Sequence, residues 1–212
     1  MDCDTGRGGQ QMKQHGPYLK LYGIDLEEDR IRRIPPGIYD HLLADSATSL
    51  PFADASFDTI VAGELVEHIP AHELPVMLRE FHRLLWPGGR LLLTTPNPHS
   101  YLVNLRQHDI FADPSHINIM AVSVLSGHLS ETGFASTRVT GSGKVSRHPG
   151  ERFPLFNGYG SYLTVSQKGG MQFSTNTDSK YNRSMIYSNE CLRIREWNDK
   201  HSPKTNVPQS YD

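Results

Sequence analysis

Residues 50–97 decide the fold: LPFADASFDTIVAGELVEHIPAHELPVMLREFHRLLWPGGRLLLTTPN. The turn-forming Asp54-Ala55-Ser56 hands the chain to residues 57–62, a short run rich in β-formers. Beyond a loop, Leu74, Leu78, Phe81 and Leu85 recur at three- and four-residue spacing, which is one apolar stripe of an amphipathic helix. Pro87-Gly88-Gly89 reads as the helix stop. Residues 90–95 form an apolar run too short for a helix and therefore a buried strand. Strand, helix and strand make a βαβ unit, so an α/β fold built on a mostly parallel sheet is expected.

The alternation continues on both sides. Residues 8–15 are expected as a short helix, and residues 18–25 as a strand ending in Asp25. Residues 26–33 are expected to start a helix with Glu27 and Glu28 in its first turn, where the dipole favours acids. Pro35-Pro36-Gly37 breaks it, and residues 41–45 form a strand ending in Asp45. After Asn97 a long connection carries Asp113-Pro114-Ser115-His116. A helix at 123–132 closed by Gly133 and strands at 135–140 and 162–167 follow. From Gly169 the composition turns to Ser, Asn, Asp and Lys. The expected division is a domain over 1–169 and a polar, irregular extension over 170–212.

With 212 residues the chain is long enough for one domain with a sizeable core. A formal net charge of -2 supplies no basic footprint for nucleic acid and no polybasic membrane patch, so a small-molecule partner is expected. Cys3 and Cys191 are the only cysteines, which suggests neither a disulfide framework nor a metal-binding pair. Reduced thiols, no spanning stretch and no signal-type leader point to a cytoplasmic protein.

The segments LPFADASFDTIVA, EHI, REFHRLLWPGGRLLLTTPN and SGHLSETGF resemble, in order and spacing, the class I S-adenosylmethionine-dependent methyltransferases. The likeness covers roughly residues 1–169 and is nearest to the small-molecule, ubiquinone- and sugar-type branches. It implies a Rossmann-like, mostly parallel sheet with helices on both faces, S-adenosylmethionine as cofactor and methyl transfer to a small molecule, expected at a hydroxyl. In-line displacement needs mainly positioning, so no metal is expected.

The resemblance also assigns residues. Asp25 would accept the ribose hydroxyls, with Leu26 against the adenine. Asp45 would face the adenine amine beside Ser46, and Gly63 and Glu64 follow the apolar strand at its carboxyl end, where Glu64 would line the methionine end or the substrate pocket. His116 is the candidate general base, since histidine titrates near neutral pH, and His68 a second candidate. Asn97 and His99 fall on the substrate side.

The beginning of the chain departs from the family pattern. A central strand and a Gly-x-Gly-x-Gly loop are expected there, but the chain reads MDCDTGRGG. With Thr5-Gly6 aligned, Asp2 and Asp4 replace two loop glycines, leaving Asp4 and Gly6 as the cofactor contacts, and the first central strand is lacking. The chain is either N-terminally truncated relative to the family or fills that slot from elsewhere, the tail after Gly169 being the candidate. A catalytically weak or inactive S-adenosylmethionine-fold binding protein is the alternative reading. A nicotinamide dehydrogenase is disfavoured because Gly6-Arg7-Gly8-Gly9-Gln10-Gln11 lacks the last glycine of the dinucleotide fingerprint. The acceptor's identity and the oligomeric state stay open.

Overall fold

The computed structural model describes residues 6–100, 113–142, 160–170 and 191–194. In chain order these give α1 (Arg7–His15), β1 (Leu21–Asp25), α2 (Glu28–Ile31), β2 (His41–Ala44), β3 (Phe57–Gly63), a 3-10 turn (Val66–His68) and α3 (Leu74–Leu84). There follow β4 (Leu85–Pro96), α4 (Val122–Glu131), β5 (Phe134–Ser142), β6 (Ser161–Lys168) and β7 (Cys191–Ile194). The strands form one sheet in the order β2-β1-β7-β3-β4-β6-β5.

One feature of that sheet differs from the expectation, and a second matches the alternative in which the tail after Gly169 fills the central slot. Only the β1–β2 and β3–β4 ladders are parallel, whereas β7 runs antiparallel to both β1 and β3, and β6 antiparallel to β4 and β5. The sheet is therefore mixed rather than mostly parallel. In addition, the central slot is filled. Leu192 stands opposite Tyr22 on one side and Ile60 on the other, so a four-residue strand from the polar tail closes the gap between β1 and β3. An open slot there would leave two rows of backbone donors and acceptors unpaired in mid-sheet, and any strand that pairs both rows removes that cost, whichever way it runs.

The core lies between α3, α4 and the β3–β4 pair. Leu74, Met77, Leu78, Phe81 and Leu84 of α3 are buried against Phe57, Ile60, Leu91 and Leu93, with Leu125 and Leu129 of α4 joining them. Burying each such side chain contributes about 1.5–3 kcal/mol. Helix α3 stops at Leu84, before Pro87-Gly88-Gly89, because Leu85 already pairs with Phe57 as the first residue of β4. The Pro-Gly-Gly triplet is a bulge inside that strand. A Cβ on Gly89 would stand 2.8 Å from the Trp86 carbonyl and 3.0 Å from that of Asp58, so only glycine fits. The Lys168 ammonium donates to the carbonyls of His82 (2.7 Å) and Leu85 (2.8 Å), satisfying acceptors at the end of α3.

A latch fixes the loop before β3. The Arg83 guanidinium donates to both Glu80 carboxylate oxygens (2.8 and 2.7 Å) and to the carbonyls of Phe52 (2.8 Å) and Leu50 (3.2 Å). Glu80 in turn accepts from the Leu50 amide at 2.8 Å. Arg83→Ala is expected to cost about 2 kcal/mol in denaturant unfolding, mostly from the Glu80 and carbonyl bonds. The Asp54 arm of the latch (2.7 Å) is largely exposed and adds little. Burial alone would raise the Glu80 carboxyl, but the Arg83 and Leu50 hydrogen bonds outweigh it and hold it below its ordinary value. This contribution is complete above the ordinary carboxylate range and is lost as pH falls through the lowered value; in Arg83→Ala the acid limb of the stability curve flattens.

Candidate functional site

A cavity of about 350 Å³, within the usual range for small-molecule sites, opens at the carboxyl ends of β1, β2 and β3. Two acids stand there because Asp25 is the last residue of β1 and Asp45 directly follows β2 in the parallel pair. Asp25 is opposite Ala44, and the Asp45 amide donates to the Asp25 carbonyl at 2.9 Å. The register thus brings together two residues 20 positions apart in sequence. Asp25 is 4% exposed, and its Oδ1 accepts from the Glu27 amide at 2.9 Å, which fixes the carboxylate at the head of the short helix α2. Asp45 Oδ1 accepts from the Ser46 amide (2.8 Å), and the Ser46 hydroxyl pairs with that of Thr48 (2.7 Å). Leu26 is 76% exposed. Asp25, Leu26, Asp45 and Ser46 all line the cavity. Its deeper wall is apolar, built from Tyr22, Ile24, Ile60 and Phe81, with His68 and Glu73 as polar interruptions.

Other residues singled out from the sequence lie elsewhere. Asp4 falls outside the described residues. Gly6 caps α1 in the left-handed region, and a Cβ there would meet Ile34 and Ile38 at 2.9 Å, so the glycine seats α1 on the loop after α2 and is absent from the cavity lining. Gly63 ends β3 and Glu64 follows it, and neither lines the cavity. Glu64 has φ 52°, a strained conformation for a side-chain-bearing residue, held by its amide donating to the Thr94 carbonyl at 2.8 Å and hydroxyl at 3.1 Å. Asn97 is fully buried; its amide donates to the Gly160 carbonyl (2.8 Å) and its Oδ1 accepts from the His99 amide (2.9 Å), which makes a turn after β4. His99 is exposed.

His68 and His116 do come together, with ring centroids 5.0 Å apart. His68 Nδ1 donates to the Ser115 carbonyl at 3.0 Å, which leaves Nε2 as an acceptor. Burial lowers the His68 pKa. Beside them lies Glu67, which the sequence reading passed over. It is fully buried and accepts from the Thr95 hydroxyl at 3.1 Å. Burial, then the charge of Glu64, pushes its carboxyl up to about 8. The available signal was an acid between the apolar Val66 and Ile69, in the EHI segment itself.

Residues 2–93 match the family model described as a methyltransferase domain. The match takes in under half of the chain and makes this part similar to a methyltransferase domain. The fold extends the likeness. A SAM-dependent methyltransferase from Archaeoglobus fulgidus superposes with TM-score 0.58 at 20% identity, over 78% of this chain and 84% of that one. A SAM-dependent methyltransferase from Thermotoga maritima, possibly a histamine N-methyltransferase, gives 0.58 at 18% identity, over 77% and 79%. Among curated proteins, the malonyl-[acyl-carrier protein] O-methyltransferase of Erwinia pyrifoliae is 33% identical over 94 residues, 44% of this chain and 34% of that protein. The 2-methyl-6-phytyl-1,4-hydroquinone methyltransferase of Synechocystis is 25% identical over 154 residues, 66% and 47%. The chain therefore spans between about a third and a half of those two curated relatives. Both of the solved neighbours are named for dependence on S-adenosylmethionine. The cavity suits it, with two fixed carboxylates at the mouth and an apolar wall behind them. Among the described residues, no helix is long and apolar enough to cross a membrane.

Proposed function

We propose that this methyltransferase-like domain binds S-adenosylmethionine at the Asp25–Asp45 end of the cavity and methylates a hydroxyl of a small molecule. The observation that carries the reading is the pairing of those two acids at one cavity mouth by the β1–β2 register. Bound there, the cofactor supplies an electrophilic methyl group on a sulfonium. The Asp25 carboxylate is assigned the two ribose hydroxyls, a role supported by the Glu27 amide's hold on its Oδ1. Asp45 and Ser46 are assigned the adenine edge and Leu26 an adenine face. Tyr22, Ile24, Ile60 and Phe81 exclude water from the remaining space and favour an apolar or aromatic acceptor. The acceptor side is assigned to the Glu67, His68 and His116 group, of which His68 reaches the cavity wall. Hydroxyl chemistry is supported by relatives named as O-methyltransferases, among them the ubiquinone biosynthesis O-methyltransferase of Pseudomonas paraeruginosa, 32% identical over 114 residues. Calorimetric titration with S-adenosylhomocysteine tests the reading. One equivalent binding with micromolar affinity is expected, and saturation to 100 times Kd should add about 2.7 kcal/mol to stability. Absence of heat and of thermal shift at millimolar ligand would contradict it.

A further inference from the structure

A second constellation lies where the 3-10 turn after β3 meets the segment before α4. One carboxylate oxygen of Glu67 and one ring nitrogen each of His68 and His116 all lie within 4.8 Å of one another. Backbone contacts hold the two segments together: the Asn118 amide donates to the Glu67 carbonyl at 3.0 Å, and His68 Nδ1 to that of Ser115. Within the group, two buried polar atoms have no hydrogen-bond partner. Glu67 is fully buried, and its Oε1 has no hydrogen-bond partner although Oε2 has Thr95. His68 Nε2 is likewise covered and without a partner. Buried polar atoms without partners cost about 1–3 kcal/mol each, and native proteins tolerate few of them. A covered imidazole nitrogen is also poorly placed to take a proton from a substrate in the cavity, so a simple base role leaves the arrangement unexplained.

We propose that Glu67, His68 and His116 bind one divalent transition-metal ion at the wall of the cavity. Two imidazoles and one carboxylate suit zinc and its neighbours rather than magnesium or calcium, and a set of three protein ligands leaves a coordination position for a substrate oxygen. The supporting contacts are those that metal ligands carry. The Ser115 carbonyl fixes the His68 tautomer with Nε2 as the free lone pair, and Thr95 orients the Glu67 carboxylate. The Asp113 carboxylate stands 3.8 Å from His116 Nε2, itself steadied by the Ser115 amide (2.9 Å) and hydroxyl (2.6 Å). Bonds of about 2.1 Å at tetrahedral angles put ligand atoms about 3.4 Å apart, which small rotations of the two rings supply. The ion's use rests on the methyl-transfer reading, whereas its binding does not. An acceptor hydroxyl on the open position loses its proton to solvent, and its oxygen forms the new bond to the methyl carbon. The carbon–sulfur bond breaks, with its electron pair going to sulfur.

The test is titration of chelator-treated protein with cobalt(II), followed by its visible absorption, and with zinc by calorimetry, alongside a parallel S-adenosylhomocysteine titration. One equivalent of each metal is expected, with a tetrahedral-type cobalt spectrum. Glu67→Gln, which keeps the buried shape, and His116→Ala, at the edge of the group, should each weaken binding at least tenfold. Should Glu67→Gln fail to fold by circular dichroism, His116→Ala decides. Absence of stoichiometric binding, or affinity unchanged in the folded variants, overturns the site. S-adenosylhomocysteine binding without metal binding removes the ion and leaves the cofactor reading standing, and metal binding alone does the reverse.

Discussion

Leu192→Pro is expected to lower the melting temperature by about 6–12 °C, the equivalent of about 3 kcal/mol or more for a chain of this size. Leu192 is the one residue of β7 whose register places it against both Tyr22 and Ile60. Proline there removes a backbone donor in the middle of the sheet, a position that proline scarcely ever occupies. The damage should reach the cofactor site, because β7 joins the β2–β1 pair, which carries Asp25 and Asp45 at its carboxyl end, to β3. Deleting residues 171–212 is the harsher version. It leaves the facing ladders of β1 and β3 open and is expected to abolish cooperative unfolding altogether. A Leu192→Pro variant that melts within about 2 °C of the parent, a shift worth less than 1 kcal/mol, would mean that this strand does not close the sheet.

Asp25→Asn should reduce affinity for S-adenosylhomocysteine by about 10- to 100-fold, the equivalent of losing about 1.5–3 kcal/mol of charge-assisted hydrogen bonding. The substitution keeps the side chain's shape and an acceptor for the Glu27 amide, so folding should change little. It removes the charge and one of the two acceptors that a pair of ribose hydroxyls requires. Asp45→Ala should cost less, about fivefold, because the adenine amine gives it one hydrogen bond where the two ribose hydroxyls give Asp25 a pair. Affinities falling in the opposite order would reassign the ribose to Asp45.

Much of this architecture was legible because local signals agreed with the final packing. The 57–62 strand, the α3 stripe and the apolar β4 run each occur in the structure within a few residues of where periodicity placed them. The acids at the carboxyl ends of β1 and β2 were legible too, since a strand terminated by a turn-forming acid is a local pattern. What could not be read was set by distant contacts. Helix α3 ends three residues before Pro87 because Phe57 recruits Leu85 into a ladder, and no property of Leu85 itself announces that. The orientation of β7 depends on a gap between β1 and β3, far from residues 191–194 in sequence. Asn97 reads as a ligand-side polar residue, yet its side chain is used in a buried turn with His99. Glu67 was hidden for the opposite reason: an acid beside a family-like histidine looks solvated until β4 and the segment before α4 close over it.

The most direct measurement is a crystal structure of the protein grown with S-adenosylhomocysteine. The account places both ribose hydroxyls within hydrogen-bond distance of the Asp25 carboxylate and the adenine between Leu26 and the Asp45–Ser46 turn. Density for the nucleoside elsewhere, or a filled cavity mouth without contact to Asp25, would contradict it.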